Sequence, residues 1–227
     1  MTRARIAKMS ALVAGAALAL SGCGLHPGAA AVVGDTTISG AEVDDAAAAL
    51  CSANITGAKA RGEAKPDLAA RGARQAAVQL LVDTELSRQF GDAKGVEPEE
   101  SQVSAALAQN KQTLDLLPES NRADFETLLR GYAEGQLVLI TAGRQSLGDA
   151  TAAEDAALSE GTKLRNKWVR SSVDVEVDPR YGTYAQGTLT PASGSLSVPV
   201  SENATAGANA DPAATWVAAL PMSQKCG

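Results

Sequence analysis

The sequence predicts a mainly α-helical protein: an Ala-rich multi-helix domain with a small β element formed by N-terminal strands and a strand that follows the helices. The composition gives two reasons, since 46 of the 227 residues are Ala and only 3% are aromatic. Ala favours helices but buries little area, and aromatic side chains supply much of a typical core, so a large all-β sandwich is disfavoured. The third reason is the helical spacing of apolar residues along the middle of the chain.

The first 22 residues have the pattern of an export signal. Positive charges at Arg3, Arg5 and Lys8 precede the uncharged apolar run Met9–Leu20. A run of twelve residues is too short to span a bilayer, which needs roughly 20, and it fits the hydrophobic region of a signal peptide. The following Leu20-Ser21-Gly22-Cys23 resembles the lipobox of bacterial lipoproteins, in which the Cys carries a diacylglyceryl group.

We therefore expect a lipoprotein signal peptide over residues 1–22, lipidation of Cys23 and a tether over residues 23–30. Such a protein is anchored to the extracytoplasmic face of the bacterial cell membrane, because two acyl chains hold it far better than one. The alternative is a soluble secreted protein that is cleaved near Ala19.

The charge and the histidine content exclude several classes of function. The net charge is −6, or −9 once the three positive charges of the signal are removed, which argues against a nucleic-acid partner. The single His, His26, lies in the predicted tether, so the chain has no His cluster for zinc and no serine-type triad within a fold. We expect no enzymatic activity, no metal and no cofactor.

Two cysteines follow the tether, Cys51 and Cys226. Outside the cytoplasm an even pair is more often a disulfide than two free thiols, although the free thiols stay open as an alternative. A bond would close a long loop, which the chain-entropy model values at about 4 to 5 kcal/mol as an upper figure. It would also hold the C-terminal segment against the first helix.

The helical domain, expected over residues 31–182, begins with a strand pair. Ala31–Val33 and Thr36–Ile38 flank the turn dipeptide Gly34-Asp35. Ser39 and Glu42 follow with the spacing of a capping box, which predicts the start of a helix.

Further local signals bound the other helices. Pro98 suits a first turn, the acids that follow it suit the positive end of a helix, and Pro118 is expected to stop that helix. Apolar residues from Phe125 to Leu147 keep the spacing of one buried stripe. The predicted helices run from the Ser39 cap to about Ser52, from Asp67 to Gly91, from Glu99 to Pro118, from Ser120 or Asn121 to Leu147, and from Thr151 to Val169.

The pattern changes after the helices. Val173, Val175 and Val177 alternate with acidic residues, which predicts a half-buried strand. Residues 183–227 are predicted to form a low-complexity tail, because small and polar residues dominate most of it without a sustained period. The apolar strip Trp216–Leu220 interrupts this tail shortly before Cys226.

The order of these signals is similar to that of the SurA/PrsA family of extracytoplasmic folding factors. Residues 32–43 resemble the family's opening strand pair and helix start, and the Gly-Val-x-Pro pattern at 95–103 resembles its third helix entry. Phe125–Leu147 lies where the family has its long amphipathic helix, and residues 173–182 resemble the closing strand of related actinobacterial lipoproteins. The resemblance covers roughly residues 30–182.

This resemblance implies a chaperone domain that holds unfolded or exported polypeptides in an apolar groove without catalysis. Phe125, Tyr132 and Trp168 are the candidate peptide-binding residues, and the alternative is that they fill the domain's own core. The family usually inserts a parvulin-type prolyl isomerase domain, but here the last helix leads directly into the closing strand, so we expect no isomerase activity. If Cys226 bonds Cys51, the strip Trp216–Leu220 is expected to plug the groove.

Two other functions stay open. A structural or interaction lipoprotein would use the same fold to bind one specific partner in the cell envelope, and a degenerate prolyl isomerase is the third candidate. The basic stretch Lys59–Arg74 suits anionic lipid or wall polymer, or is a solvated loop. Nothing in the sequence identifies the clients or the oligomeric state.

Overall fold

Residues 27–185, 187–192, 197–209 and 212–227 are described by a computed structural model, so the predicted signal peptide, Cys23 and His26 lie outside the described residues. The predicted fold class is confirmed, since the protein is mainly helical with a small antiparallel sheet. The strands are β1 Ala29–Val33, β2 Thr36–Ser39, β3 Val175–Val177, β4 Gly182–Ala185 and β5 Thr188–Pro191. The helices are α1 Gly40–Ala60, α2 Ala70–Lys94, α3 Glu100–Gln109, α4 Lys111–Leu116, α5 Glu119–Leu147, α6 Glu154–Ser172, α7 Glu202–Ala208 and α8 Ala214–Ala218.

The N-terminal sheet has the order β2-β1-β3, with β1 antiparallel to both neighbours. Gly34 makes the turn between β1 and β2 with a φ of +57°, a left-handed conformation that favours glycine. Ala31 pairs with Val177, so the strand that follows the helices returns to the strand that precedes them. The expected strand pair and the expected post-helical strand are both present.

Helix α1 begins with the predicted capping box. The Ser39 hydroxyl accepts a hydrogen bond from the Glu42 amide at 3.1 Å, and the Glu42 carboxylate accepts one from the Ser39 amide at 2.7 Å. The helix continues to Ala60, whereas the sequence predicted its end near Ser52 and a loop from residue 54. It continues because Ala58 is buried against the rest of the domain, and this packing outweighs the glycine one position earlier.

The other helix boundaries also move. Helix α2 runs from Ala70 to Lys94, with the left-handed Gly95 as its C-cap in place of the predicted Gly91. Gly91 lies inside the helix, where a Cβ would come within 2.8 Å of the Val96 carbonyl oxygen. Helix α6 begins at Glu154 rather than at Thr151. Thr151 instead donates two hydrogen bonds of 2.8 Å to the Asp149 carboxylate, in a turn that precedes the helix.

The third predicted helix is divided into α3 and α4 at Asn110. The Asn110 side-chain amide donates to the Ala106 carbonyl oxygen at 3.1 Å, a local bond that competes with a continued helix. Pro118 ends this segment as expected and occupies the N-cap position of α5, which starts at Glu119, ahead of the predicted caps Ser120 and Asn121.

The core lies between the sheet, α1, α2 and α5. The largest fully buried side chains among the described residues belong to β1, α1, α2 and α3, and they are Phe90, Leu86, Val33, Val43, Val78, Val82 and Val103. A smaller cluster around Phe90, Val138 and Leu139 joins α2 to α5, with Trp168 of α6 packed against it. No helix in the described part of the chain is long and apolar enough to cross a membrane.

The segment predicted to be an aperiodic tail contains regular structure where it is described. β4 and β5 form a hairpin, and Leu189 of β5 is buried in the main core. The hairpin therefore packs on the same body as residues 31–182. Helices α7 and α8 follow, and Lys225 forms an antiparallel β-bridge with Ala69 at the start of α2.

Candidate functional site

A cavity of about 670 Å³ lies between α1, the start of α2 and the C-terminal segment that contains α8. Leu50 of α1, Leu68 before α2 and Val217 of α8 supply its larger apolar side chains. Most of the remaining lining consists of Ala, Gly and Pro, with Asp67 and Arg71 as its charged members. Its size is within the range of roughly 300–1,000 Å³ that small-ligand sites occupy.

Small residues at the start of α2 produce the concave shape. Gly72 and Ala76 are four residues apart and therefore lie on one face of the helix, next to Ala73. A Cβ on Gly72 would meet no atom within 4 Å, so this wall faces open space. A helix with Leu at these positions would fill the cavity with its own side chains.

The third wall of the cavity is the C-terminal segment that contains α8. It is fixed by the disulfide Cys51–Cys226, which is present in the structure. The two Cα atoms are 5.3 Å apart, and the residues are separated by 175 positions in the chain. The Cys226 amide donates to the Leu68 carbonyl oxygen at 2.9 Å. Lys225 donates to the Asp67 carboxylate at 2.9 Å and to the Ala218 carbonyl oxygen at 2.7 Å. The last residues of the described chain are thus held to α1 and to the loop before α2.

Trp216 and Arg71 attach α7 and α8 to α2. The Arg71 guanidinium lies 5.5 Å from the centre of the Trp216 ring and donates to the carbonyl oxygens of Gly207 and Asn209. The indole N–H of Trp216 donates to the Asn203 side-chain oxygen at 2.9 Å. Burial lowers the pKa of the Arg71 guanidinium below its ordinary value.

Of the apolar strip Trp216–Leu220, which the sequence predicted to plug the groove, Val217 lines the wall of the cavity. Val217 is buried and faces the cavity, whereas the Trp216 ring lies between Arg71 and Gly207. A second cavity of about 500 Å³ is also lined by Cys51 and Cys226, together with Ile55 and Pro118.

The three predicted peptide-binding residues lie outside the lining of the 670 Å³ cavity. Phe125 is 9% exposed and belongs to the main core, whereas Tyr132 is 51% exposed. Trp168 is half-buried and packs against Phe90, with ring centres 5.7 Å apart. The cavity is built mainly from small aliphatic residues of three separate segments. Aromatic residues therefore do not mark its position in the sequence.

Asp83 lies half-buried between α2 and α6. Burial raises the pKa of Asp83, and the guanidinium of Arg165 opposes part of that rise. Arg165 is 7% exposed and lies 3.4 Å from the Asp83 carboxylate, so the pair joins two packed helices and does not face the cavity. In the described part of the chain, no group of three or more His, Cys, Asp or Glu residues is placed to hold a metal ion.

No protein-family model, curated protein or solved structure matches this chain. The geometry of the 670 Å³ cavity is therefore the main basis for proposing a function. The cavity offers a mainly apolar surface of modest size, lined largely by small side chains.

Proposed function

We propose that this protein is a lipid-anchored, extracytoplasmic, chaperone-like protein that binds apolar segments of unfolded polypeptides without catalysis. The observation that carries the proposal is the open cavity of about 670 Å³, with its walls of Ala, Gly and short aliphatic side chains. The lipobox at Leu20-Ser21-Gly22-Cys23 and the resemblance of residues 30–182 to the SurA/PrsA family support the same proposal.

The chemistry of the walls favours weak and unselective binding. An unfolded chain exposes apolar side chains, and transferring one into the cavity removes apolar area from water. Walls of small side chains present few directional groups, so they discriminate little between a client Leu, Phe or Val. Because the wall that carries α8 is held at Cys226 and at Trp216, the segment between these attachments can adjust to clients of different size.

An aggregation assay tests this proposal. The soluble form from residue 24 is mixed at equimolar ratio with a reduced, unfolded model protein, and light scattering is followed. We expect suppression by the wild type and its loss in Ala76→Trp, which fills the cavity from the α2 wall. The matched control is Ala105→Trp on the exposed face of α3, which should suppress aggregation as the wild type does.

Two results would contradict the proposal: an inert wild type, or equal effects of Ala76→Trp and its control. Circular dichroism and thermal unfolding of both variants establish that they are folded, so that a loss of suppression reports on the cavity.

One observation favours the alternative of a lipoprotein with a single envelope partner. Val198 and Val200 are 84% and 94% exposed, and in an extended chain they lie on the same side. An exposed extended segment of this kind suits addition to the edge of a partner's sheet. Crosslinking in cells separates the two functions, because a chaperone captures many unfolded clients and the alternative yields one stoichiometric partner.

A further inference from the structure

The disulfide Cys51–Cys226 lies between two cavities and outside the main core. Both cysteines line the cavity of about 670 Å³, and both also line the neighbouring cavity of about 500 Å³. Cys51 is half-buried on α1, whereas Cys226 is 4% exposed. Neither cysteine belongs to the main core cluster. The bond therefore borders open space on two sides instead of being enclosed by packed side chains.

Both cavities are open to solvent. Ala213 and Ala214 line the larger cavity and are exposed. Ala48 and Ser223 line the smaller cavity and are also exposed. A small thiol compound thus has a path to the two sulfur atoms from either cavity while the domain stays folded.

Apart from the disulfide, mainly polar contacts hold the C-terminal segment, residues 212–227, to the rest of the domain. Val217 and Cys226 are the buried residues of this segment, and neither belongs to a core cluster. Lys225 pairs with Asp67, whose side chain is 54% exposed. Exposed polar contacts contribute little to stability, because water competes for the same groups. The covalent bond is therefore the main attachment of the segment to α1.

The main core does not depend on the C-terminal segment. Among the described residues, the last member of the core cluster along the chain is Leu189 of β5. Proteins open locally as well as globally, and segments with few buried apolar contacts open at the lowest cost. Breaking the disulfide is thus expected to free residues 212–227 while the helices and the sheet stay folded.

We propose that Cys51–Cys226 is a site of reversible thiol–disulfide exchange in the folded protein, and that its reduction by a dithiol opens the client cavity and releases the client. The exchange step stands on the position of the bond between the two cavities. The release step rests on the proposed function.

The exchange begins at Cys51, which is more exposed than Cys226. A thiolate of the dithiol attacks the Cys51 Sγ, a new sulfur–sulfur bond forms there, and the bond to Cys226 breaks. The Cys226 Sγ leaves as a thiolate and takes up a proton. The second thiol of the dithiol then attacks the mixed disulfide and frees Cys51 as a thiol. The dithiol loses two electrons and two protons and becomes a disulfide, and the cysteine pair gains both.

Reduction changes what the cavity offers to a client. The C-terminal segment supplies Val217 and the run Pro212–Ala214 to the lining, whereas α1 and α2 supply the opposite sides. Without the segment, the cavity becomes an open surface of two helices, which removes less of a client's apolar area from water. The oxidised protein therefore holds the client, and the reduced protein lets it go.

Counting free thiols tests the exchange step. The form from residue 24 contains all of the described structure and just the two bonded cysteines. It is treated with dithiothreitol without denaturant, and the thiols are labelled with maleimide polyethylene glycol and counted on a gel. We expect two labelled thiols per chain, with the circular dichroism of a folded helical protein. A bond that resists dithiothreitol until denaturant is added would overturn the proposal.

Gly143→Ala separates attack on the folded protein from attack after global unfolding. A Cβ on Gly143 would lie 1.9 Å from the Ala157 carbonyl oxygen, so the substitution weakens the fold, and Gly143 lines neither cavity beside the bond. We expect the variant to be reduced at the wild-type rate. A rate that rises by about five- to 150-fold, the factor expected for overpacking if unfolding came first, would overturn the exchange step.

Two tryptophans test the access path. Ala76→Trp narrows the larger cavity and Ala48→Trp narrows the smaller one, so the double variant should be reduced more slowly than the wild type. The matched control is Ala105→Trp/Ala108→Trp on exposed positions of α3, which should keep the wild-type rate. Equal rates in the two double variants would mean that the cavities do not admit the dithiol.

The release step is tested with a client that has no cysteines and is diluted from guanidinium into the assay. Light scattering should show suppression of aggregation by the oxidised protein, its loss after dithiothreitol, and its return after reoxidation. Cys51→Ser/Cys226→Ser, which has no bond to reduce, should not respond to dithiothreitol. Equal suppression by the oxidised and reduced wild type would overturn the release step. An inert oxidised protein would contradict the proposed function and the release step together, whereas the thiol count decides the exchange step by itself.

Discussion

Gly143 of α5 lies so close to Gly161 of α6 that a Cβ on Gly143 would come within 3.0 Å of the Gly161 backbone nitrogen. The same Cβ would be 1.9 Å from the Ala157 carbonyl oxygen, and a Cβ on Gly161 would be 1.9 Å from the Leu139 carbonyl oxygen. The two helices therefore pack backbone against backbone, a contact that no larger residue permits.

Gly143→Ala and Gly161→Ala should each destabilise the protein by about 1 to 3 kcal/mol, because the new methyl group must separate the two helices. Chemical denaturation followed by circular dichroism measures the change. Gly72→Ala is the control, since its Cβ meets open space on an exposed helix face and should be neutral or stabilising by about 0.5 to 1 kcal/mol. Equal effects at the three positions would contradict the close approach of α5 and α6.

Removal of the disulfide should loosen the cavity's third wall. The Cys51→Ala/Cys226→Ala variant loses a closure of 175 residues, and the loop model gives at most about 5 kcal/mol for it. We expect a lower denaturation midpoint, faster proteolysis between residues 197 and 213, and weaker suppression of client aggregation. Ser223→Ala, an exposed change three residues before Cys226 that leaves the bond intact, should change none of the three. Unchanged protease sensitivity in the double variant would show that the other contacts hold the wall alone.

Gly207→Ala should release Trp216 from its position. A Cβ on Gly207 would come within 2.5 Å of the Trp216 ring, so the indole must move towards water and its fluorescence emission should shift to longer wavelength. Thr205→Ala, on the exposed side of the same helix, is the control and should leave the emission in place. Identical emission spectra for Gly207→Ala and Thr205→Ala would contradict the close contact between Gly207 and Trp216.

Glu85 should make the stability of the protein sensitive to acid. Burial would raise the pKa of Glu85, but hydrogen bonds from Arg88, Gln89 and Thr36 outweigh it and lower the pKa below its ordinary value of 4.5. A lowered pKa contributes stability that is complete above pH 4.5 and is lost as the pH falls through the folded-state value. Glu85→Gln should therefore cost about 1 to 2 kcal/mol at neutral pH, and this difference should vanish in acid.

Glu63→Gln is the control for this pH series, because Glu63 is fully exposed and pairs only with the neighbouring Arg61 among the described residues. It should leave the pH dependence almost unchanged. A difference between Glu85→Gln and wild type that persists at low pH would mean that the packing of this side chain, and not its charge, supports the fold.

If Cys23 is lipidated, replacing it should change the cell fraction in which the protein is found. Cys23→Ala should move the protein from the membrane fraction to the soluble fraction or block its processing, because the proposed acyl chains on Cys23 would be its anchor. Mass spectrometry of the mature wild-type N-terminus should show a modified Cys23. An unmodified N-terminus near Ala19 or Leu20 would instead support the soluble secreted alternative.

Local signals in the sequence predicted much of the fold. The Gly34 turn and the Ser39–Glu42 capping box involve neighbouring residues only, so both are visible in the sequence and present in the structure. The predicted ends of α1 and α2 were wrong because they depend on long-range packing, such as that of Ala58 and Gly91.

The candidate site was predicted only in part for the same reason. The even number of cysteines after the tether favoured the pairing of Cys51 with Cys226 over two free thiols, but the cavity beside them depends on where three separate segments meet. Helices α7 and α8 are short, and Arg71, over a hundred residues earlier, holds them in place. Short helices stabilised by such contacts have no strong local pattern.

The bond between Cys51 and Cys226 also determines when the fold can be completed. During synthesis α1 and α2 are made well before the residue that closes the loop, because 175 positions separate the two cysteines. Until oxidation joins the two cysteines, the faces of α1 and α2 that line the cavity lack the wall that the C-terminal segment supplies. If the protein is exported as we propose, it would reach its final fold only after Cys226 has crossed the membrane, and a newly exported copy would itself need protection from aggregation.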